Sequence, residues 1–475
     1  MHLMNKENKV FFDSYMKEVS EFFVGKLVGE ELVKLQNQKL QKVLKYVYQN
    51  SPYYQILLNP FKDRFDNFTI YDLPTLPFTT KDTLRDADLS ILSQPINKNA
   101  YYYETTGTTG KATPCPRNMI DVISSNVTIS FAYKSVFESV FGNEKPVVGV
   151  FGPTEIHSFG DTLGNVCHNL DLCVVKAWPY SPVVGFEKTL ELIERLNIQV
   201  IICTPGLAMT LYKAAKKIKY DIERLNIRMI MITGEMCTKE MAENIEDLWN
   251  AKVFNFMYGS QEALVMAACN SNNCMNIFPH NYIYEVIDST TGVSLGFEGE
   301  GELTVTMLNP GGKPLIRYRT GDLVRIEKIN SSPLPSYEIT IMGRTKDCVT
   351  LNEVKFKASQ FDSTIMQGLR KCIGYQMIID SLNNVDEVTI KLEMSDQCYE
   401  TKSLEENLIM RFEKTFHTKL KVDFTDKLSP VVFTGAMVSW KAARIIDNRK
   451  QRTDDERTET QSAQNVLDSG AVKSV

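Results

Sequence analysis

An α/β fold is predicted for the 475-residue chain by three features of its sequence. From Phe186 to Gly259, fully apolar segments alternate with amphipathic ones, which indicates a parallel sheet flanked by helices on both faces. After Pro279, short strands separated by glycine turns indicate a β subdomain. From Gly343 to Asn448 a second, smaller α+β pattern follows. The predicted units are a large N-terminal domain over 1–342, a small C-terminal domain over 343–449 and a disordered polar tail over 450–475.

The composition excludes several classes of function. Hydrophobic residues make up 43% of the chain and charged residues 23%, which is typical of a globular protein. The formal net charge is −5 and no basic cluster occurs, so no nucleic acid partner is expected. The N-terminus is too polar for a secretory signal and no apolar run is long enough to span a membrane, so we expect a cytoplasmic protein without a membrane partner. The ten scattered cysteines fit reduced thiols.

The first elements have clear helical signals. Apolar residues between Leu27 and Asn50 recur at helical spacing, and Ser51-Pro52 ends the pattern. The stretch Thr79-Thr80-Lys81-Asp82 can cap a short helix. We expect these segments to serve packing.

The central region predicts a regular alternation of strands and helices. Its predicted elements are a helix over Phe186–Asn197, a strand over Ile198–Cys203, a helix over Leu207–Lys219, a strand over Ile227–Ile232, a helix capped by Thr238 and ending at Trp249, and a strand over Lys252–Met257. Polar turns follow the three strands. Since ligands bind at the carboxyl ends of parallel strands, we expect three groups of residues on one rim: Thr204, then Thr233-Gly234-Glu235, then Tyr258-Gly259-Ser260-Gln261-Glu262.

A loop rich in threonine and glycine is the first candidate binding element. It reads Thr105-Thr106-Gly107-Thr108-Thr109-Gly110-Lys111. Glycines allow tight backbone turns, while hydroxyls, exposed N–H groups and one ammonium supply donors for a polyphosphate. The spacing differs from that of the common P-loop. An ordinary polar turn is the alternative.

Three further stretches carry candidate ligand groups. Glu262, at the predicted mouth of the sheet, can hold Mg²⁺ bound to phosphate oxygens, although an exposed glutamate that opens a helix is the commoner case. Asp322, within Ile316 to Leu323, can bind both ribose hydroxyls, or form a surface ion pair in a β turn. Met342 to Asp347 lies at the domain boundary, where a polar hinge is the simpler interpretation.

In this order the motifs resemble those of the adenylate-forming enzymes, the superfamily of acyl-CoA ligases and nonribosomal-peptide adenylation domains. The phenylacetate-CoA ligase-like branch is the most similar, and the resemblance extends from Leu32 to Arg449. The motifs that carry it are LPFTTKDTLR (Leu76 to Arg85), TTGTTGK, ITGE, YGSQE, IRYRTGDL, GR-x-x-D and KAARIID (Lys441 to Asp447).

The resemblance implies a role for each motif. The Thr105–Lys111 loop would grip the β- and γ-phosphates of ATP, Glu262 would help to hold Mg²⁺, and Asp322 would bind the ribose. The remaining implied residues are Gly234, Glu235, Tyr258, Gly259, Ser260 and Arg344 at the nucleotide, Lys346 at the hinge, and Lys441 on a mobile small domain. Lys441 would swing in to stabilise the adenylation transition state; without the resemblance a solvated lysine is the default interpretation.

Two departures from the family pattern bear on the second half-reaction. Trp440 stands where relatives have a glycine before the lysine. Leu351-Asn352-Glu353 stands where relatives have an Arg-Gly loop that approaches pantetheine. The resemblance implies that the acceptor is a thiol, either of CoA or of a carrier-protein phosphopantetheine. The altered loop keeps an amine or hydroxyl acceptor open as an alternative. A non-catalytic nucleotide-binding protein is a further alternative, against which the joint presence of Lys111, Glu262, Asp322, Arg344 and Lys441 argues.

The stretch Phe151 to Asp161 lies where relatives place contacts to the acid. Glu155, His157 and Asp161 make it polar, whereas an aryl-acid pocket would be mostly apolar. A carboxylate there would pair with a substrate ammonium, which favours an amino acid over an aryl acid, and a solvated loop is the alternative. The substrate is expected to be a small carboxylic or amino acid.

Cys269, Cys274 and His280 lie close together in the sequence and raise the question of a structural zinc. Their spacing does not match a standard zinc-finger pattern and no second cysteine pair accompanies them. We therefore interpret them as unliganded core or loop residues.

Overall fold

The computed structural model describes residues 4–105, 111–328, 336–382, 385–395, 401–426, 428 and 444–449. In this part of the chain the α-helices are α1 Lys6–Phe23, α2 Gly29–Asn50, α3 Pro52–Leu58, α4 Lys81–Ala87, α5 Met119–Phe141, α6 Phe159–Asn169, α7 Gly185–Arg195, α8 Pro205–Lys217, α9 Lys239–Trp249, α10 Ala358–Met366 and α11 Thr401–Phe416. None of these helices has the length and apolar character needed to cross a membrane.

The β-strands form one large and two small sheets. They are β1 Val147–Phe151, β2 Val174–Ala177, β3 Ile198–Cys203, β4 Met229–Thr233, β5 Lys252–Ser260, β6 Leu264–Cys269, β7 Met275–Ile277, β8 Tyr282–Ile287, β9 Ser294–Gly296, β10 Gly299–Met307, β11 Tyr318–Lys328, β12 Tyr337–Arg344, β13 Val349–Leu351, β14 Val354–Phe356, β15 Cys372–Leu382, β16 Val385–Met394, β17 Leu420–Phe424 and β18 Ile445–Asp447.

The large sheet has 12 strands in the order β2-β1-β3-β4-β5-β6-β7-β12-β11-β10-β8-β9. The strands from β2 to β5 pair in parallel, and every later neighbour pairs in antiparallel fashion. The predicted parallel sheet and the predicted β subdomain are therefore one continuous sheet. Its strands β3 and β4 are almost wholly buried, as their unbroken apolar sequences require.

Strand β5 changes the sheet from parallel to antiparallel. One edge of β5 pairs with β4 in parallel up to Met257, and the other edge pairs with β6 in antiparallel fashion from Met257 to Ser260, with a register shift between Tyr258 and Gly259. Gly259 permits this close approach, because an added Cβ would lie 2.4 Å from the Leu264 carbonyl oxygen. The sequence prediction of a turn from Tyr258 onward was therefore wrong: only Gln261 to Ala263 form the turn.

The C-terminal unit contains a four-stranded sheet in the order β17-β16-β15-β18. It packs on helices α8 and α9 of the large unit. Asn244 on α9 donates to the Cys372 carbonyl oxygen at 2.8 Å and accepts from the Cys372 N–H at 2.9 Å. The predicted fold class, a large helix-flanked sheet with a smaller α+β unit, is confirmed.

Long helix α5 has no counterpart among the predicted elements. Its sequence is apolar with many serine, asparagine and threonine residues, and it is buried around most of its circumference. A helix enclosed on nearly all sides has no amphipathic stripe to reveal it. Asn118 caps its first turn, accepting from the Asp121 N–H at 3.0 Å, while Asp121 accepts from the Asn118 N–H.

Candidate active site

The threonine loop is carried on a paired stem. We call residues 101–105 and 113–117 the loop stem. Isolated bridges join Tyr101 to Arg117 and Glu104 to Pro114. At the top, the Thr105 N–H donates to the Thr113 carbonyl oxygen at 3.1 Å, and the Thr105 hydroxyl accepts from the Thr113 N–H at 3.0 Å. The loop residues Thr106, Gly107, Thr108, Thr109 and Gly110 lie outside the described residues.

Lys111 follows the loop on an exposed position. Its ammonium lies 2.7 Å from the Asp88 carboxylate, which is also exposed. Exposed ion pairs of this kind contribute little to the free energy of folding. Lys111 can therefore leave Asp88 and bind a more highly charged anion with little loss of stability.

Glu262 is buried in the turn between β5 and β6, contrary to the alternative of an exposed residue at a helix start. Only 7% of the residue is exposed, and its carboxylate lies 3.3 Å from the Lys81 ammonium. Burial raises the pKa of Glu262, but the charges of Lys81 and Lys313 outweigh burial and hold the pKa below its usual value. Glu262 is therefore an ionised carboxylate in a buried position that already accepts a cation.

Lys81 and Lys313 were not among the predicted site residues. Lys81 is the first residue of α4, directly after the N-cap Thr80, so its position follows from the helix start that the sequence predicts. Lys313 is buried and donates to the Pro114 carbonyl oxygen of the loop stem at 2.7 Å. It follows Gly311-Gly312, where a Cβ on Gly311 would lie 1.8 Å from the Asp121 carboxylate. The glycine pair before Lys313 is the sequence signal that was missed.

Asp322, Tyr258 and Arg344 form a cluster on neighbouring strands. Asp322 on β11 faces Arg344 on β12 in register, and the Asp322 carboxylate lies 3.2 Å from the Arg344 Nε. The second carboxylate oxygen of Asp322 accepts from the Tyr258 hydroxyl at 2.6 Å. Burial and the Asp322 charge raise the pKa of Tyr258, so its hydroxyl remains a proton donor. The cluster brings together three of the predicted nucleotide residues.

The other predicted residues of the rim have structural contacts of their own. The Ser260 hydroxyl accepts from the Ala263 N–H at 3.0 Å, which closes the turn that carries Glu262. Gly234 has a φ of 83°, which favours glycine, and lets the chain turn directly after β4. Glu235 accepts from the Gly206 N–H at 3.3 Å and pairs with Arg444 of the C-terminal unit at 3.4 Å.

Arg444 is half-buried between the two units. Its guanidinium also lies 3.4 Å from the Asp362 carboxylate. Burial lowers the pKa of Arg444, but Tyr375, Asp362 and Glu235 raise it by more, so the guanidinium keeps its charge. Lys441, three positions earlier in the chain, lies outside the described residues. Lys346 is exposed in a single 3₁₀ turn, Thr345–Asp347, that follows β12.

The residues predicted to contact the acid differ in their surroundings. We call residues 151–161 the acid segment. Glu155 is exposed, and the His157 Nδ1 accepts from the Phe159 N–H at 3.1 Å. Asp161 lies in α6, where its carboxylate accepts from the Tyr103 hydroxyl at 3.0 Å and lies 3.6 Å from the Lys176 ammonium. Asp161 is therefore attached to the loop stem.

Cys269, Cys274 and His280 are not brought together. His280 is fully buried beside Tyr15 and Thr128, and burial lowers its pKa well below the usual value. Within the described ranges no group of three or more His, Cys, Asp or Glu side chains could hold a metal ion.

Comparisons with known proteins show which family the chain resembles. A family model described as AMP-binding enzyme matches residues 70–308, half of the chain. Phenylacetate-coenzyme A ligase of Thermus thermophilus is 28% identical over 385 residues, 78% of this chain and 83% of that protein. The enzyme of the same name from Aromatoleum evansii is 24% identical over 447 residues, 90% of this chain and 96% of that protein. A crystal structure of 2-hydroxyisobutyryl-CoA ligase in the postadenylation state superposes with a TM-score of 0.73 at 17% identity, covering 91% of this chain and 92% of that one.

The fold, the family model and the relatives together define an adenylate-forming enzyme. The chain belongs to the AMP-binding enzyme family, and within it to the phenylacetate-CoA ligase-like branch. By class it is an AMP-forming acid–thiol ligase. The resemblance expressed by the sequence motifs is confirmed.

Proposed function

We propose that this protein uses ATP and Mg²⁺ to convert a small carboxylic or amino acid into an acyl-adenylate, and then transfers the acyl group to the thiol of CoA or of a carrier-protein phosphopantetheine. One observation carries the proposal. The segment at the end of β5 brings together three groups that a nucleotide site needs. Glu262 is an ionised, buried carboxylate beside the Lys81 ammonium, and its neighbour Gln261 contacts the loop stem. Tyr258, on β5, orients the Asp322 carboxylate.

The nucleotide would lie across the end of β5. Loop residues Thr105 to Lys111 would bind the β- and γ-phosphates through backbone N–H groups, hydroxyls and the Lys111 ammonium. Asp322 would accept both ribose hydroxyls, with its carboxylate held in place by Tyr258 and Arg344. Gly234 and Glu235, directly after β4, and Gly259 and Ser260, at the end of β5, would border the same nucleotide.

Glu262 would serve as the protein ligand of Mg²⁺. The donor fits, because Mg²⁺ is commonly bound by one or two carboxylates together with substrate phosphate oxygens. The bound ion would neutralise charge on the phosphates. The Lys81 ammonium, which lies 3.3 Å from the Glu262 carboxylate, would either contact this carboxylate together with Mg²⁺ or be displaced from it by the ion. In both cases it would remain near the phosphates as a second positive charge.

The chemistry requires positive charge at the α-phosphate. The substrate carboxylate attacks the α-phosphorus, the bond to the bridging oxygen breaks, and pyrophosphate leaves. Both partners are anions, so Lys441 would add a cation at the transition state. The thiol would then attack the acyl carbonyl carbon and AMP would leave, after rotation of the small domain (343–449) about Lys346 relative to the large domain (1–342).

A second candidate keeps the adenylate but gives the acyl group to an amine or hydroxyl. Its basis is the β13–β14 turn, the region that relatives use to approach pantetheine. Asn352 and Glu353 occupy this turn with φ values of 46° and 68°, and Asn352 is held by the His417 carbonyl oxygen and by Thr418. A glutamate in a left-handed conformation places a charge where relatives have glycine.

Product analysis tests the acceptor. The protein is incubated with ATP, Mg²⁺, a panel of amino, aryl and aliphatic acids, and CoA, and products are identified by mass spectrometry. The proposal expects AMP, pyrophosphate and one acyl-CoA. If AMP accumulates with CoA left unmodified, while hydroxylamine traps the activated acid, CoA is rejected as the acceptor. The same assay with a phosphopantetheinylated carrier protein then decides between a carrier-protein thiol and the second candidate.

A further inference from the structure

The side chain of Gln261 connects two parts of the site. Its Nε2 donates to the Glu104 carbonyl oxygen of the loop stem at 3.2 Å. Its Oε1 accepts from Ser158 of the acid segment, from the N–H at 3.3 Å and from the hydroxyl at 2.5 Å. The Glu104 carbonyl requires a donor and the Ser158 N–H requires an acceptor, so only one orientation of the Gln261 side-chain amide satisfies both contacts. Gln261 thus joins the loop stem to the acid segment, next to Glu262.

Other contacts join the same two segments. The Glu104 N–H donates to the Ile156 carbonyl oxygen at 3.1 Å. Arg117, buried in the loop stem, donates to the Ser158 hydroxyl at 2.9 Å and to the Thr162 hydroxyl at 3.1 Å. The Ser158 hydroxyl therefore accepts from Arg117 and donates to Gln261. Buried chains of hydrogen bonds of this kind fix the relative positions of their members.

The acid segment holds an unfavourable backbone conformation at the point of contact. Ile156 has a φ of 53°, although its side chain is β-branched and 61% exposed. Such a residue rarely adopts the left-handed region unless its surroundings impose it. The Ile156 carbonyl is the group that accepts from Glu104, so the loop stem takes part in imposing this conformation.

We infer that Gln261 is a positioning residue that couples ATP binding, through the loop stem, to the conformation of the acid segment. The inference rests on the proposed function, in which the loop binds phosphates and the acid segment borders the acid. ATP bound beside the loop stem would hold the Glu104 carbonyl oxygen in place. The Glu104 carbonyl would in turn orient Gln261, and Gln261 would orient Ser158. Coupling of this kind is reciprocal, so the acid would also strengthen ATP binding.

Two variants separate the two sides of the link. Gln261→Glu keeps the acceptor that Ser158 needs but places a carboxylate oxygen opposite the Glu104 carbonyl, where a donor is required. Ser158→Ala leaves the contact with Glu104 and removes the hydroxyl that bridges Arg117 and Gln261. Ser158→Ala is the milder change and serves if Gln261→Glu does not fold.

Gln36→Glu is the matched control. Gln36 is buried on α2, and its Nε2 donates to the Pro279 carbonyl oxygen at 2.9 Å. Like Gln261→Glu, this substitution replaces a side-chain donor by an acceptor opposite a backbone carbonyl, but it does so away from the loop stem. It should lower thermal stability without altering the response to nucleotide.

The experiment is hydrogen–deuterium exchange of the full chain with and without saturating α,β-methylene-ATP and MgCl₂, with binding verified by calorimetry. We expect the amides of residues 151–161 in the wild-type protein to exchange at least about 5-fold more slowly when the analogue is bound, a factor at the low end of typical coupling. Gln261→Glu and Ser158→Ala should bind the analogue and lose most of this slowing, while Gln36→Glu retains it.

The outcomes separate this inference from the proposed function. A wild-type protein that does not bind the analogue contradicts the proposed function itself. If the analogue binds but exchange in residues 151–161 does not change, the coupling does not exist. If the wild-type response persists in both Gln261→Glu and Ser158→Ala, the segments communicate through other contacts and Gln261 has no positioning role.

Discussion

Asp322 and Arg344 face each other across strands β11 and β12, with 3.2 Å between carboxylate and Nε. The other oxygen of Asp322 accepts from the Tyr258 hydroxyl at 2.6 Å. Side chains from β5, β11 and β12 therefore fix one carboxylate in advance. A preorganised acceptor binds a ribose diol without the cost of ordering a mobile side chain.

Asp322→Asn should weaken ATP binding. The amide keeps the shape of the side chain but loses the charge and one acceptor, and hydrogen bonds to charged groups contribute about 1.5–3 kcal/mol. We expect the KM for ATP in pyrophosphate exchange to rise about 10-fold or more, with a smaller change in the KM for the acid. Asp66→Asn, at an exposed ion pair with Lys45, is the control and should leave both values unchanged. An unaltered KM for ATP in Asp322→Asn would remove Asp322 from the ribose site.

Lys81→Met should change the pH dependence of the reaction. The pKa of Glu262 is lowered, so its charge contributes stability above the unfolded-state pKa, and this contribution is lost as the pH falls through the lower folded-state pKa. Without Lys81, burial prevails and the pKa of Glu262 rises. The acid limb of the exchange rate should then move to higher pH, and more Mg²⁺ should be needed there. Lys134→Met, at an exposed position on α5, is the control. Identical pH profiles for Lys81→Met and wild type would contradict this role.

Lys346→Pro should separate the two half-reactions. Proline fixes φ and restricts the residue before it, so the 3₁₀ turn Thr345–Asp347 could no longer rotate freely. We expect pyrophosphate exchange to persist while acyl transfer to CoA falls at least about 10-fold, a loss measured by single-turnover kinetics. Lys346→Ala should retain both steps. An equal loss of both steps in folded Lys346→Pro protein would place the hinge elsewhere.

Amide substitutions in the acid segment test the polar end of the substrate. If an amino group of the acid binds there, Glu155→Gln or Asp161→Asn should raise the KM for the amino acid more than the KM for its deaminated analogue. Asp161 already contacts Tyr103 and Lys176, so its substitution should also lower thermal stability, whereas that of exposed Glu155 should not. Equal, small effects on both compounds would favour an aryl or aliphatic acid.

Much of the fold was predictable because buried strands and amphipathic helices leave periodic patterns. Strand β3 begins and ends where the sequence predicts, and Thr238 caps α9, accepting from the Met241 N–H. The continuity of the large sheet was not predictable, because it depends on β5 pairing with β4 in parallel along one edge and with β6 in antiparallel fashion along the other. No local pattern specifies such long-range pairing.

The residues of the candidate site could be predicted where they belong to a recognisable sequence motif. Tyr258, Asp322 and Arg344 were chosen from three separate motifs, and the fold places them in contact. Lys313 and the link made by Gln261 were missed, since their partners are backbone carbonyls far away in the sequence, at Pro114 and Glu104. A backbone carbonyl partner can be supplied by any residue type, so the only signal available was indirect, such as the glycine pair before Lys313.

Acid-dependent exchange of labelled pyrophosphate into ATP is the most direct test of the central claim. With Mg²⁺ and a panel of amino, aryl and aliphatic acids, we expect exchange with at least one acid and none without acid. Lys441→Ala should retain ATP binding and lose exchange by roughly 10²–10³-fold, the effect of removing one transition-state contact. Lys421→Ala, at an exposed position on β17, should behave as wild type. Absence of both exchange and ATP binding in the wild-type protein across the whole panel would contradict the account.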